Sequence, residues 1–273
     1  MRREFRIASI VAFIEHIEEK CDKDYVLFRG QPQQKKKRPL LPLIGRPNFA
    51  ARQNLIQDER QMLEEFMAQS VPLLSFRPAS PLEWLAVAQH HGMSTRLLDW
   101  TTNPLAALWF AIRSGAQKRK DAEVHYFESE DRDWVSAEAK ASPLTVSRCL
   151  VYRPPHISAR IVRQSGWFTL HPLDAGGAFV SLNEDPAFTD RLRCLRVPKT
   201  AFPKMRYALD RYGAHEAAFM PDLPGTAAYV DWCHRLLDDE KAGGKRRRRT
   251  SADRKAGTST TARRIARGRS PAQ

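Results

Sequence analysis

The sequence predicts an α+β protein in which helices flank a mixed or antiparallel sheet and a disordered basic tail follows. First, 42% hydrophobic and 9% aromatic residues are typical of a globular chain. Second, short β-branched and aromatic runs alternate with helical segments too unevenly for a doubly wound parallel sheet. Third, the positive charge is concentrated at the end of the chain. We therefore expect a folded domain over residues 1–240 and a tail over residues 241–273.

The tail holds most of the net charge of +14. Residues 241–273 contain twelve lysines and arginines against one acid, Asp253, which gives +11 and leaves +3 for the remaining 240 residues. Its mixture of Gly, Ser, Thr and Arg cannot bury a core. A tail of this kind favours nonspecific binding to nucleic-acid phosphates, with the candidate contacts Arg246, Arg247, Arg248 and Arg249.

Several function classes are excluded. The longest apolar stretches, such as residues 104–112, are far shorter than the ~20 residues of a membrane span, so no membrane partner is expected. Four widely spaced cysteines without a C-x-x-C pair predict neither disulfides nor a metal site, and together with the lack of a cleavable leader they favour the cytoplasm. The motifs of P-loop enzymes, zincins, α/β-hydrolases and Rossmann proteins are absent.

The N-terminal half predicts four helices and one strand. Isoleucines at helical spacing between residues 7 and 17 indicate an amphipathic helix, with Ser9 as its N-cap. Residues 25–28 are typical of a strand with Arg29 at its exit. Prolines and a basic run predict a loop over residues 31–50. The remaining helices are predicted at residues 54–69, 81–90 and 105–112, the last apolar nearly all round.

The C-terminal half is predicted to alternate between short strands and helices. Strands are expected at residues 122–127, 149–152, 167–171 and 192–197, a helical turn at residues 158–165, and helices at residues 203–212 and 226–239.

Residues 89–101 combine imidazoles, a guanidinium and a carboxylate within apolar, aromatic-rich sequence. Charged groups in such a setting are partly buried and therefore need partners. One interpretation is a structural Arg96–Asp99 pair that braces a turn, with His90 and Thr95 completing the hydrogen bonds. The other is that these side chains line a ligand cleft.

Four blocks of the chain resemble the FRG domain family. The name-giving triplet is Phe28-Arg29-Gly30, followed by Gln31, and the most distinctive block runs from Gln89-His90-His91-Gly92 to Asn103-Pro104. Residues 160–169 and 219–225 resemble the later blocks, so that the similarity extends over residues 9–237. The family name describes a motif and implies no settled activity.

A second pattern is similar to the arginine-serine-glutamate pattern of ADP-ribosyltransferases. It maps onto Arg29, Thr95 or alternatively Ser94, and Glu216, although Ala214 stands where those enzymes carry a second acidic or amide residue. The resemblance implies that the arginine binds a dinucleotide phosphate, the hydroxyl orients the nicotinamide ribose and the glutamate stabilises an oxocarbenium-like transition state.

The enzyme hypothesis is an NAD-binding ADP-ribosyltransferase or NAD glycohydrolase-like protein, with NAD as substrate and no resident cofactor identified. Its catalytic candidates are Arg29, Thr95 and Glu216, and its candidate ligand-binding residues are Gln31, His90, Arg96, Asp99, Gln164 and Thr169. Arg29 could instead be a structural brace that pairs with Asp99. The alternative function is a non-catalytic module that binds nucleic acid or a protein partner with the help of the tail.

Overall fold

A computed structural model describes residues 4–32, 40–46, 54–114, 121–155 and 158–241. The predicted nucleic-acid contacts Arg246–Arg249 therefore lie outside the described residues. The described strands are β1 (Glu4–Arg6), β2 (Val26–Pro32), β3 (Leu97–Thr101), β4 (Ala122–Glu128), β5 (Leu150–Tyr152), β6 (Gly166–Leu170) and β7 (Arg193–Val197). The described α-helices are α1 (Ile10–Lys20), α2 (Leu55–Ser70), α3 (Pro81–His90), α4 (Pro104–Ile112), α5 (Ala137–Ala141), α6 (Ala159–Gln164), α7 (Pro186–Thr189), α8 (Phe202–Arg211), α9 (Glu216–Phe219) and α10 (Leu223–His234).

The strands form one seven-stranded sheet in the order β1-β7-β4-β2-β3-β6-β5. Strand β1 is parallel to β7, and every other neighbouring pair is antiparallel. The sheet is therefore mixed, and the predicted α+β class is confirmed. No helix in the described part of the chain combines the length and apolarity needed to cross a membrane.

The helices begin where the sequence provides side-chain caps. The side chains of Ser9, Ser80 and Asn103 accept backbone N–H groups in the first turns of α1, α3 and α4. Prolines at the first position of α3 and α4 suit helix starts because their missing N–H would have no partner there. The predicted helices at residues 81–90 and 105–112 are confirmed to within one residue.

The sheet separates two apolar layers. On one face, Phe28 of β2 packs with helices α4 and α8, and Leu97 of β3 packs with α3. On the other face, Leu27, Trp100 and Phe127 form a separate core. We call the first the helical face and the second the opposite face.

Gly30 allows α4 to lie directly against the centre of the sheet. A β-carbon added at Gly30 would lie 1.7 Å from the carbonyl oxygen of Ala107, a backbone atom of α4. Any side chain at this position would displace the helix, which explains the glycine after Arg29.

Strand β2 is longer than predicted. It runs to Pro32 because β4 pairs with it over its whole length, from Val26 opposite Glu128 to Pro32 opposite Ala122. Arg29 consequently lies within the strand and not at its exit, which corrects the sequence-based position. Strands β1 and β3 were not predicted.

Candidate functional site

Strands β2 and β3 are adjacent at the centre of the sheet but share a single residue pair, Phe28 with Thr101. Beyond that pair, a hydrogen bond from the guanidinium of Arg29 joins the two strands in place of a backbone–backbone hydrogen bond. Its Nη1 donates to the backbone carbonyl of Asp99 at 2.6 Å and lies 3.7 Å from Asp99 Oδ2. The predicted alternative of an Arg29–Asp99 pair is thus present in the structure.

Asp99 remains open to solvent beside this contact, with 60% of its side chain exposed. Gln89 of α3 donates from Nε2 to Asp99 Oδ2 at 3.3 Å, and its Oε1 accepts the hydroxyl of Thr95 at 2.8 Å. Thr95 Oγ1 in turn accepts the backbone N–H of Leu97 at 3.1 Å. Thr95 is fully buried, so its hydroxyl acts through Gln89 to position Asp99 and does not face a ligand.

Arg96 does not pair with Asp99. Its Nε and Nη2 donate to Glu59 Oε2 of α2 at 2.9 and 2.7 Å, and both side chains are completely buried. Nη1 donates to the carbonyl of Pro143 at 3.2 Å. The sequence-based Arg96–Asp99 brace is therefore wrong, because the partner of Arg96 lies in a distant helix. Full burial also removes Arg96 from any ligand surface.

Thr169 belongs to a buried network on the opposite face. Its Oγ1 accepts from Trp100 Nε1 at 3.0 Å and lies 2.8 Å from His171 Nε2. His171 Nδ1 lies 2.8 Å from the carbonyl of Val180, an acceptor only, so Nδ1 carries the proton and Thr169 donates to Nε2. Burial lowers the pKa of His171 to about 4, and the imidazole is neutral at physiological pH.

Gln31 also lies on the opposite face and is buried beside His125. Gln164 instead donates from Nε2 to the carbonyl of Phe219 at 2.9 Å. That contact ties the end of α6 to helix α9, which begins with Glu216. Gln164 therefore acts as a brace for Glu216.

Glu216 is paired with Arg113 and lies within electrostatic range of Arg160. Arg113, at the end of α4, lies with Nη1 3.3 Å from Glu216 Oε1, and both side chains are partly exposed. Burial raises the pKa of Glu216, while the positive charges of Arg113 and Arg160 act in the opposite direction. Glu216 is thus an ion-paired, half-buried carboxylate and not a fully solvated one.

His90, at the end of α3, lies within electrostatic range of Asp99 and Arg160. Burial lowers the pKa of His90, the charges of His91 and Arg160 lower it further, and Asp99 raises it. Arg160 therefore lies within electrostatic range of both His90 and Glu216. We call the set Arg29, Asp99, His90, Arg160, Glu216 and Arg113 the charged strip.

Four members of the charged strip were predicted from the sequence to be functional: Arg29, His90, Asp99 and Glu216. Arg29 and Glu216 are linked through intermediates, and no direct contact joins Arg29, Thr95 and Glu216 among the described residues. The strip contains three arginines, which can bind phosphates, and two carboxylates, which can bind a cationic group.

Two members of the charged strip, Arg113 and Arg160, were missed as site residues. Arg113 directly follows the apolar helix α4, and Arg160 lies in a block already noted for its family resemblance. An arginine at the end of a buried helix can pack its aliphatic stem against apolar side chains and extend its guanidinium toward solvent. Arg113 uses that position to lie over the rings of Trp109 and Phe110.

Comparison with known sequences supports the family resemblance. The sequence model of the FRG domain matches residues 24–120, which include Arg29, Gln31, His90, Thr95, Arg96 and Asp99. Gln164, Thr169 and Glu216 lie outside the matched range. No curated protein and no solved structure matches the chain significantly. The chain therefore carries an FRG domain, at residues 24–120.

Proposed function

We propose that the charged strip binds NAD and that the protein transfers or hydrolyses its ADP-ribose group. The observation that supports this is the ion pair of Glu216 with Arg113, within electrostatic range of Arg160 and in the same strip as the Arg29–Asp99 pair. Arginines bind phosphates bidentately, and a carboxylate close to them can stabilise a cationic sugar.

The proposed reaction breaks the bond between C1′ of the nicotinamide ribose and the nicotinamide nitrogen. Nicotinamide leaves with the bonding electron pair, which neutralises its ring, so the leaving group needs no proton. Glu216 stabilises the positive charge that develops on the ribose. Water or an acceptor nucleophile then adds to C1′ and loses a proton. Thr95 has only a positioning role in this scheme, through Gln89 and Asp99.

The test is nicotinamide release from NAD by the purified full chain. Arg29→Lys keeps the charge but loses the planar fork, and we expect at least a tenfold loss in kcat/KM. The matched control is Arg132→Ala, which removes an exposed arginine paired with Glu130 far from the strip in sequence. Release that is absent in the wild type with water, protein and nucleic-acid acceptors would contradict the proposed activity.

A second candidate function is nonspecific nucleic-acid binding by residues 241–273. The charge of +11 in this segment favours it, and Arg246–Arg249 are the proposed phosphate contacts. Deleting residues 241–273 should weaken binding to duplex DNA and flatten its dependence on salt. An unchanged affinity and salt slope would contradict this function.

The folded unit is proposed to extend over residues 1–240, well beyond the matched FRG range. That range contributes β2 and β3 to the sheet, whereas β1, β4, β5, β6 and β7 lie outside it. Since β2 needs β4 along its full length, residues 24–120 would leave one edge of the central strand unpaired.

The proposed compartment is the cytoplasm. All four cysteines are free, and Cys149 and Cys194 are buried thiols. Reduced cysteines are what a reducing compartment maintains.

A further inference from the structure

The opposite face of the sheet carries a second group of polar side chains, beside the β2 end of the charged strip. Within β4, Val124 and Tyr126 enter the core on the helical face, so Glu123 and His125 both project to the opposite face. The strand register places Cys194 of β7 directly beside His125. Three chemically different metal-binding side chains therefore meet on adjacent strands.

These three side chains are buried and close together. Glu123, His125 and Cys194 are at most 7% exposed, and one donor atom from each lies within 4.8 Å of the other two. Glu123 Oε2 and His125 Nε2 are 3.2 Å apart. Tetrahedral zinc places nitrogen and sulfur ligands about 3.5 Å apart, given its usual bond lengths. The cluster needs to contract by roughly 1 Å to reach that geometry.

The hydrogen bonds of His125 are poorly matched without an ion. Its Nε2 lies 3.2 Å from the Gln31 amide nitrogen and 3.2 Å from the Glu123 carboxylate. The amide nitrogen is a donor and requires an unprotonated Nε2, whereas the carboxylate is an acceptor and requires a protonated one. Its Nδ1 is buried and has no hydrogen-bond partner among the described residues. Buried polar atoms normally have a hydrogen-bond partner, so the unpartnered Nδ1 points to a ligand independently of the short distances between the three side chains.

The charges of the cluster suit a divalent cation. The guanidinium of Arg196 lies near Glu123, and its positive charge favours the carboxylate form. A carboxylate and a thiolate together neutralise a dication, which removes the cost of burying its charge. Arg196 lies 3.8 Å from the other carboxylate oxygen, Oε1, and pairs with Glu4 at 3.0 Å, so it leaves Oε2 available.

We propose that Glu123, His125 and Cys194 bind one divalent transition-metal ion, with Zn²⁺ as the first candidate. A thiolate and an imidazole select zinc and its neighbours over Mg²⁺ or Ca²⁺. Three protein ligands leave a fourth position for water or for the side-chain oxygen of Gln31 in its flipped orientation. The spacing of the cysteines predicted no metal site, because the ligands come from two strands that are distant in sequence.

The test uses the untagged full chain, stripped with a chelator and titrated with Co²⁺. We expect one Co²⁺ per chain with thiolate-to-cobalt charge-transfer absorption. Cys194→Ser should lose that absorption and bind at least tenfold more weakly, whereas Cys149→Ser, at another buried cysteine, should behave as the wild type. Co²⁺ bound at the exposed imidazoles near His91 would lack the thiolate band.

A second measurement covers the case in which Cys194→Ser fails to fold. Zn²⁺ should raise the Tm of the stripped wild type, since it binds only the folded chain, and Glu123→Gln should greatly reduce that shift. Absence of stoichiometric binding by the wild type, or a thiolate band that persists in folded Cys194→Ser, would overturn the proposal. Neither readout depends on NAD, so the metal site and the proposed activity fail or hold separately.

Discussion

The guanidinium of Arg29 donates to the backbone carbonyl of Asp99 at 2.6 Å, where β2 and β3 separate after a single residue pair. The arginine thus completes the centre of the sheet and holds the exposed carboxylate of Asp99 at one end of the charged strip. Arg29 thus has a structural role beside its proposed role in binding, so each activity measurement on an Arg29 variant needs a stability measurement beside it.

Removing the Arg29 side chain should destabilise the protein more than neutralising Asp99. Arg29→Ala leaves the carbonyl of Asp99 without its donor, at a cost of about 1–3 kcal/mol in the free energy of unfolding. Asp99→Asn keeps that carbonyl bond and weakens only a largely exposed ion pair, which costs less than about 1 kcal/mol. Urea unfolding measures both, and equal costs would argue against the backbone contact as the main stabilising one.

The buried pair of Glu59 and Arg96 should be the most sensitive charge interaction in the fold. Glu59→Gln leaves the guanidinium of Arg96 without its counter-charge in a fully buried position, which costs about 3–5 kcal/mol. Glu65→Gln, on an exposed turn of the same helix, is the control and should change stability by less than about 0.5 kcal/mol. Similar unfolding midpoints for the two variants would show that the pair carries little of the stability.

Local patterns predicted the helices better than the strands and ion pairs. The cap at Ser80 and the apolar run of α4 are encoded within a few residues, and both helices were found close to their observed bounds. Strand β3 was missed because its residues 97–101 are buried on both faces apart from Asp99, so no clean alternation marks it.

The candidate site was predictable only in part for the same reason. Arg29 was identified from its motif, but Gly30 suggested a strand end, whereas the close approach of Ala107 in α4 is what requires glycine there. The Glu59–Arg96 pair joins residues 37 positions apart, and its partners cannot be assigned without the fold. Glu123 and His125 were assigned to a strand, but the metal-binding implication depends on Cys194 in a neighbouring strand.

A methyl group at residue 30 should strain the contact between α4 and the sheet. Gly30→Ala places its β-carbon against a backbone oxygen, which cannot rotate away, and overpacking of this kind costs about 1–3 kcal/mol. Gly176→Ala is the matched control, because its nearest neighbour is a carboxylate oxygen of Asp174 at 3.3 Å. A Tm of Gly30→Ala equal to that of the control would contradict the described packing.

The buried imidazole of His171 should make the fold sensitive to acid. Its pKa in the folded protein is about 4, below the ordinary value of 6.5, so the unfolded chain binds more protons between these values. Its contribution to stability is present above pH 6.5 and is lost as the pH falls toward 4, about 3 kcal/mol in total.

The comparison is the free energy of unfolding across pH 4 to 7.5 for the wild type and for His171→Gln. The variant should lose less stability on acidification, and the exposed His234→Gln control should follow the wild type. Parallel pH profiles for the wild type and His171→Gln would contradict a neutral, buried imidazole.

The most direct test of the central claim is the rate of nicotinamide release from NAD by Glu216→Gln, in a variant whose Tm matches the wild type. A carboxylate that stabilises the developing ribose cation should contribute about 10²–10³ in kcat, so we expect a loss of that size. Glu19→Gln, at an exposed carboxylate of α1, should retain the wild-type rate. Release by Glu216→Gln at the wild-type rate would contradict the assignment of Glu216 and of the charged strip as the active site.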